Sequence, residues 1–302
     1  MSFAEQPGAA ALGGAGLRIP GLFRERRNGL VTLALLTPGF GGIAFLFLLP
    51  LWLVFQLSFA PEGADSGFTL DNYASFLGDG KLVDAFFLSI ELAVLATLFS
   101  ILLSVPLALA LRRPFRSNRA FRLLILLPLM VPALVSAVGL RLFWGDVGWA
   151  NLTIQLLPFV DGPIRIVFTI PGLVLFYVWL FFPFTALLTL AALEGIDPAI
   201  EEAAEVSGAS RWRVLIHVLL PLAVPGILAG SVLTFIESFG AFSVPLVTGG
   251  DYRPLSVQIY TVSAIFLHWN EGAAMSVVMG VTQIIFLVTY FRLLRRRGWS
   301  ER

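Results

Sequence analysis

The chain has 302 residues and a formal net charge of +1; 58% of its residues are hydrophobic and only 13% are charged, and the mean hydropathy is +0.88. A soluble domain carries about 25% charged residues, so water is not the main solvent of this chain, and the near-neutral balance gives no basis for nucleic-acid binding. Disulfides, thiolate metal sites and a cysteine nucleophile are excluded because there is no cysteine.

Residues 1–28 read as a flexible cytoplasmic tail rich in Gly and Ala, with Arg18, Arg24, Arg26 and Arg27. The first apolar run, near 30–59, is longer than the roughly 7–15 residues of a cleaved signal and reads as a retained span. A hydrocarbon core about 30 Å thick needs roughly 20 apolar residues in helical form. Further runs of that kind lie near 84–111, 121–144, 167–193, 222–247 and 272–292, making six. Pro106, Pro128, Pro132, Pro183 and Pro225 fall inside them, and a membrane helix kinks at proline but survives. The expected fold is therefore all-α and transmembrane. The six-span transmembrane domain occupies 29–293, with a polar loop at 194–221 and a basic cytoplasmic tail at 294–302.

Orientation follows the basic residues. Placing the N-terminus inside puts Arg112, Arg113, Arg116, Arg119, Arg122, Arg211, Arg213, Arg292, Arg295, Arg296, Arg297 and Arg302 in cytoplasmic segments. Only Lys81, Arg165 and Arg253 remain outside. That asymmetry predicts a multi-pass membrane protein with both termini cytoplasmic.

The loop between the fourth and fifth spans is the most informative segment. Asp197 followed by Pro198 predicts a helix start, since the carboxylate can cap free N–H groups and proline suits the first position. Ile200, Ala203, Ala204 and Ser207 then share one small-residue face. Gly208 stands where a left-handed C-cap is expected. Ser210 can cap a second helix with the apolar face Trp212, Leu215, Ile216 and Leu219. An amphipathic linker lying in the headgroups would show the same periodicity.

The residue order carries more. Glu202-Ala203-Ala204, three residues, Gly208, nine residues, then Val218-Leu219-Leu220-Pro221 resembles the EAA loop of ABC-importer permeases. Phe68–Tyr73, Pro163–Thr169 and Trp269–Ala274 look like the spermidine/putrescine branch of that family. The resemblance implies a type I importer permease in which one helix precedes a five-helix core. It implies partners too: two copies of a cytoplasmic ATPase carrying ATP and Mg, a second permease subunit, and an extracytoplasmic solute-binding protein. The ATPase contact would fall on Glu201, Glu202, Ala203, Ala204, Gly208, Ala209, Arg211, Trp212 and Pro221. Related branches carry iron(III), sulfate, thiamine or aminophosphonates, so the substrate stays open.

ATP hydrolysis is not expected of this chain, and no cofactor or metal is. The P-loop needs Gly-x-x-x-x-Gly-Lys followed by Ser or Thr, and the single lysine, Lys81, has neither the spacing nor the hydroxyl. His217 and His268 are expected at opposite membrane faces and so form no joint metal site. Three ionisable residues fall inside spans: Glu91, Arg141 and Glu237. Such charges cost about 2.5–3.5 kcal/mol at the bilayer centre, so they face protein or water. One reading lines a substrate pathway with Glu91, Glu237, Ser238 and Gly240, tuned by Arg141; the other makes Glu91 and Arg141 a helix-locking ion pair. Gly240 and Pro245 predict a distorted helix beside that pathway. An ion-coupled secondary transporter would show duplicated halves, which are not seen here. A membrane-embedded enzyme would need more polar groups at one depth.

Overall fold

The computed structural model describes residues 22–63, 67–113, 116–158, 160 and 162–296; Arg18, Arg297, Arg302 and most of the expected N-terminal tail lie outside them. Among these residues the regular structure is entirely helical. The chain divides into two compact units, Met1–Leu53 and Val54–Arg302. Helix α1 (Leu22–Ser58), most of it in the first unit, already runs from Leu22, so residues 22–28, expected to be flexible, are helical.

In the second unit, α2 (Asp71–Gly78) precedes the long α3 (Gly80–Arg112). Then come α4 (Asn118–Met130), α5 (Ala133–Trp144), α6 (Trp149–Ile154) and α7 (Ile170–Glu194). They are followed by α8 (Pro198–Val206), α9 (Arg211–Phe239), α10 (Ser243–Thr248), α11 (Leu255–Ile265) and α12 (Trp269–Arg296). Five described helices are long and apolar enough to cross a bilayer, six if α4 and the chain from Ala133 to Ile154 count as one span. Helices α3, α7 and α9 form the centre, with α4 and α5 against α7 and α10 against α5. Leu92, Ala96, Phe176, Tyr177 and Val244 fill the core at one end, and Leu111, Leu190, Leu193, Val214 and Leu219 fill it at the loop end.

Small residues let the central helices approach closely, the usual way to gain packing energy in a membrane. A Cβ on Gly230 would stand 2.5 Å from the Thr185 Cα. Thr234 Oγ1 donates to the Phe181 carbonyl at 3.1 Å, so across 2.8 Å it is Thr185 Oγ1 that donates to Thr234.

The structure corrects the third and fifth spans. The third is not one rod: it bends by 105° between Met130 and Ala133, where Val131 is extended. The fifth begins at Arg211 rather than near 222, so the second helix of the polar loop and the span are one helix. It ends at Phe239 instead of 247. Both departures have a proline pair four residues apart nearby, Pro128/Pro132 and Pro221/Pro225. Each proline removes one i→i−4 bond and crowds the carbonyl it would have used, and residues four apart do this on one face. At the first pair the helix breaks. Beside the second it widens into a π turn at Leu215–Leu219, where Leu220 N donates to the Leu215 carbonyl. The short apolar α11 was not anticipated; Ser89 Oγ receives Leu255 N at 2.8 Å and anchors it to α3.

Candidate functional site

Two places in the second unit bring the singled-out residues together, and α9 runs through both.

At the loop end, Asp197 Oδ1 accepts Ala199 N at 2.9 Å and Pro198 opens α8. The helix closes on Gly208 at φ +85°. Gly208 N donates to the Glu205 carbonyl at 2.9 Å and Ala209 N to the Ala204 carbonyl at 3.1 Å. This bond pair is a Schellman turn, which needs the left-handed residue that glycine supplies without strain. Ser210 holds the next N-cap position but its side chain makes no capping bond. Ala204, Ala209, Leu215 and Val218 pack on the loop-end core around Val214 and Leu219. Trp212, 70% exposed, and Ile216 point outward instead of joining the buried face expected of them. Leu219 is buried and Leu215 half-buried, as expected of that face, and Val214 joins them, five residues before Leu219 across the π turn. Glu202, Ala203, Glu205, Val206 and Gly208 form an exposed tip beside Arg211 and Trp212; Pro221 is half-buried at the start of the span.

Glu201 turns the other way. Its two carboxylate oxygens receive Arg112 Nη1 at 2.8 Å and Arg113 Nη2 at 2.7 Å, from the last turn and C-cap of α3. Burial pushes the carboxyl up, but the hydrogen bond from Arg113 and the charges of both arginines outweigh it and hold the group below its ordinary range. Glu194 at the end of α7 pairs with Arg122 of α4. The loop helix is thus tied by charge to the end of α3, and the end of α7 to α4.

At the other end of α9, Glu237, Gly240, Ser243, Phe181, Phe242 and Gln283 line a cavity of about 340 Å³. The helix stops there, and side chains reach carbonyls at its end: Gln283 Nε2 donates at 3.4 Å to Ile236 O, which also accepts Gly240 N at 3.1 Å, and Ser256 Oγ donates at 2.6 Å to Ala241 O just beyond. Irregular backbone at membrane depth needs such cover or a watery cavity, so the distortion expected at Gly240 lies where it should. Ser238 is buried, its Oγ without a hydrogen-bond partner. A carboxylate, an amide, a hydroxyl and phenyl faces around one space can hold a cation by charge, hydrogen bond and cation–π attraction. Gln283 is uncharged and so is not singled out by a search for buried charge; its signal in the sequence is a lone amide in the last apolar span.

Glu91 and Arg141 do not meet this cavity, and no ion pair joins them among the described residues. Glu91 is exposed on α3. The Arg141 guanidinium lies 5.1 Å from the centre of the Phe168 ring, beside a separate cavity of about 510 Å³ that also holds Arg165 and Asp146. The alternative Glu91–Arg141 pair is therefore not formed, and Arg141 makes a cation–π contact instead. Three asparagines, also unforeseen, clamp the connections at this end. Asn72 and Asn270 both donate to the Ala60 carbonyl, and Asn151 bridges Trp144, Gly145 and Ile164. His268 lies here, 3.9 Å from Glu271, whereas His217 is on α9 near the tip.

Comparison with known proteins agrees with this geometry. Residues 96–297 match the family described as binding-protein-dependent transport system inner membrane component. Over 230 residues the chain is 31% identical to the spermidine/putrescine transport system permease protein PotB of Salmonella typhimurium (strain SL1344), covering 76% of this chain and 80% of that one. Its fold resembles a chain of a bacterial ABC transporter that imports the acidic polysaccharide alginate, with TM-score 0.77 and 19% identity over 91% of this chain and 98% of the other. A second structure of a bacterial alginate transporter, in complex with its alginate pentasaccharide-bound periplasmic protein, matches with TM-score 0.73 and 19% identity over 91% and 97%.

Proposed function

The chain belongs to the binding-protein-dependent transport system inner membrane components and is an ABC-importer permease; on that premise we propose that it carries a polyamine, using the Glu237 cavity as part of the pathway. In this reading the exposed tip from Glu202 to Gly208 docks into a separate cytoplasmic ATPase, which binds ATP and Mg and performs all hydrolysis. Both termini face the cytoplasm. A second permease subunit completes the pathway, and a solute-binding protein delivers cargo from the other side. ATP binding closes the ATPase pair and, through the docked tips, turns the pathway outward. The nucleotide can do this only by its preference for the closed state.

The observation that carries the substrate assignment is the pairing of Glu237 with Gln283 and phenyl faces in a 340 Å³ space, in a chain related to a spermidine/putrescine permease. An ammonium group there gains charge, hydrogen bonds and ring contact together. The second reading, an anionic substrate such as sulfate or an aminophosphonate, rests on the cavity with Arg141 and Arg165. Uptake of labelled spermidine into vesicles holding the complete importer separates them. ATP-dependent uptake that Glu237→Gln abolishes, with the complex still assembled, supports the polyamine. Uptake of sulfate but not spermidine supports the anion, and uptake without ATP hydrolysis rejects the importer mechanism.

A further inference from the structure

We propose that the loop end of this chain holds a binding site for the phosphate headgroup of an anionic phospholipid, in the cavity between the end of α3 and the start of α9. The space is about 430 Å³ and is lined by Leu109, Arg112, Arg113, Arg211, Trp212 and Leu215, with Glu201 at its edge. Three guanidinium groups against one carboxylate leave a formal charge of +2 in that lining. Glu201 engages one nitrogen each of Arg112 and Arg113. A guanidinium has five N–H donors, so both arginines keep donors for phosphate oxygens while the carboxylate fixes their position.

The depth selects a lipid over a soluble anion. The apolar span of α3 ends at Arg112, so Leu109, one turn earlier, sits at hydrocarbon depth and the guanidinium groups at the headgroup level. Leu109 and Leu215 give the cavity an apolar wall suited to the glycerol and first acyl carbons of a lipid, which free phosphate would leave uncovered. Trp212 is 70% exposed, as suits an indole at a bilayer surface. Basic pockets between helix ends at a membrane surface are where acidic headgroups bind.

The test uses the complete importer, purified in mild detergent, stripped of lipid and titrated with phosphatidylglycerol or phosphatidylcholine while bound lipid is counted by native mass spectrometry. One phosphatidylglycerol per copy of this chain should be held about tenfold more tightly than phosphatidylcholine. Arg113→Gln should remove that preference and Arg113→Lys should keep part of it, since a lost charge-assisted hydrogen bond is worth about tenfold or more. The Arg113 side chain is 64% exposed, so neither variant threatens the fold. Equal retention of the two lipids, a preference untouched by Arg113→Gln, or displacement of the lipid by millimolar inorganic phosphate would each overturn the assignment.

Discussion

Replacing Gly208 with valine tests the turn that presents the docking tip. At φ +85° a Cβ placed on Gly208 meets nothing within 4 Å, so the penalty is purely one of backbone conformation. A left-handed L-residue costs about 1–2 kcal/mol, and a β-branched one reaches roughly 2–3 kcal/mol. At about 1.4 kcal/mol per factor of ten, that shifts the turn's population by about 30- to 150-fold. Affinity for a partner that needs the native turn falls by at most the same factor. Asparagine tolerates this conformation, so Gly208→Asn should bind nearly as wild type, Gly208→Ala in between, and Gly208→Val weakest. The assay is a titration of the purified permease with its cognate ATPase. Membrane insertion should be unchanged throughout. Equal binding by the valine and asparagine variants would refute the reasoning, because it would mean that backbone conformation at 208 does not govern docking.

Glu201→Gln leaves Arg112, whose side chain is only 10% exposed, without its counter-charge. Assembly with the ATPase should persist while transport per ATP hydrolysed falls severalfold, measured in vesicles; unchanged coupling would make the pair merely structural. Because the folded carboxyl lies below its ordinary value of 4.5, its contribution is complete above that pH and is lost as pH falls through the lower folded value. Loop protection in hydrogen exchange should accordingly be flat from neutral pH down to the ordinary carboxyl value of 4.5 and fall as the pH is lowered beyond it. Glu237→Gln should abolish spermidine uptake with the complex intact, and normal uptake would move the residue out of the pathway. Gly230→Leu drives a side chain into the Thr185 backbone and should destabilise α7 against α9 by about 1–3 kcal/mol or more, read as a lower melting temperature in detergent.

Span positions were legible because each is a long apolar run, and the loop's first helix because Asp197-Pro198 and Gly208 are local signals whose partners lie within a few residues. What stayed hidden depended on distant partners. In sequence Glu201 stands with its neighbours as an expected ATPase contact; only the fold turns it away from them to Arg112 and Arg113, 89 and 88 residues away. At Val131 the sequence suggests only a kink, since a single proline is routinely tolerated in a membrane helix, whereas two prolines four residues apart stand beside the break. Helix α11 is too short to announce a span, and its anchor, Ser89, lies 166 residues earlier. Gln283 carries no charge, so the rule that flags ionisable residues in membranes passed over it.

The continuity of α9 gives the two candidate places a common mechanical basis. From Arg211 to Glu237 the helix runs about 39 Å at roughly 1.5 Å per residue, joining the docking tip to the cavity without an intervening loop. A helix transmits displacement along its axis well, because each backbone bond shares the load with the next. The π turn at Leu215–Leu219 is where that ladder is weakest, one turn inward from the tip. Beyond it, Thr234 is bonded to Thr185 and Gly230 lies against the same turn of α7, so any axial shift that passes the π turn must carry α7 with it. Helix α7 ends at Glu194, which is tied to Arg122 of α4. A push on the tip would thus reach the cavity by two parallel rods rather than one, and the cavity lining draws on both: Phe181 from α7 and Glu237 from α9. If the rods moved independently, a disulfide engineered between α7 and α9 near residues 185 and 234 would block transport. If they move as one unit, the cross-linked importer keeps its ATP-driven uptake, which is the outcome this packing requires.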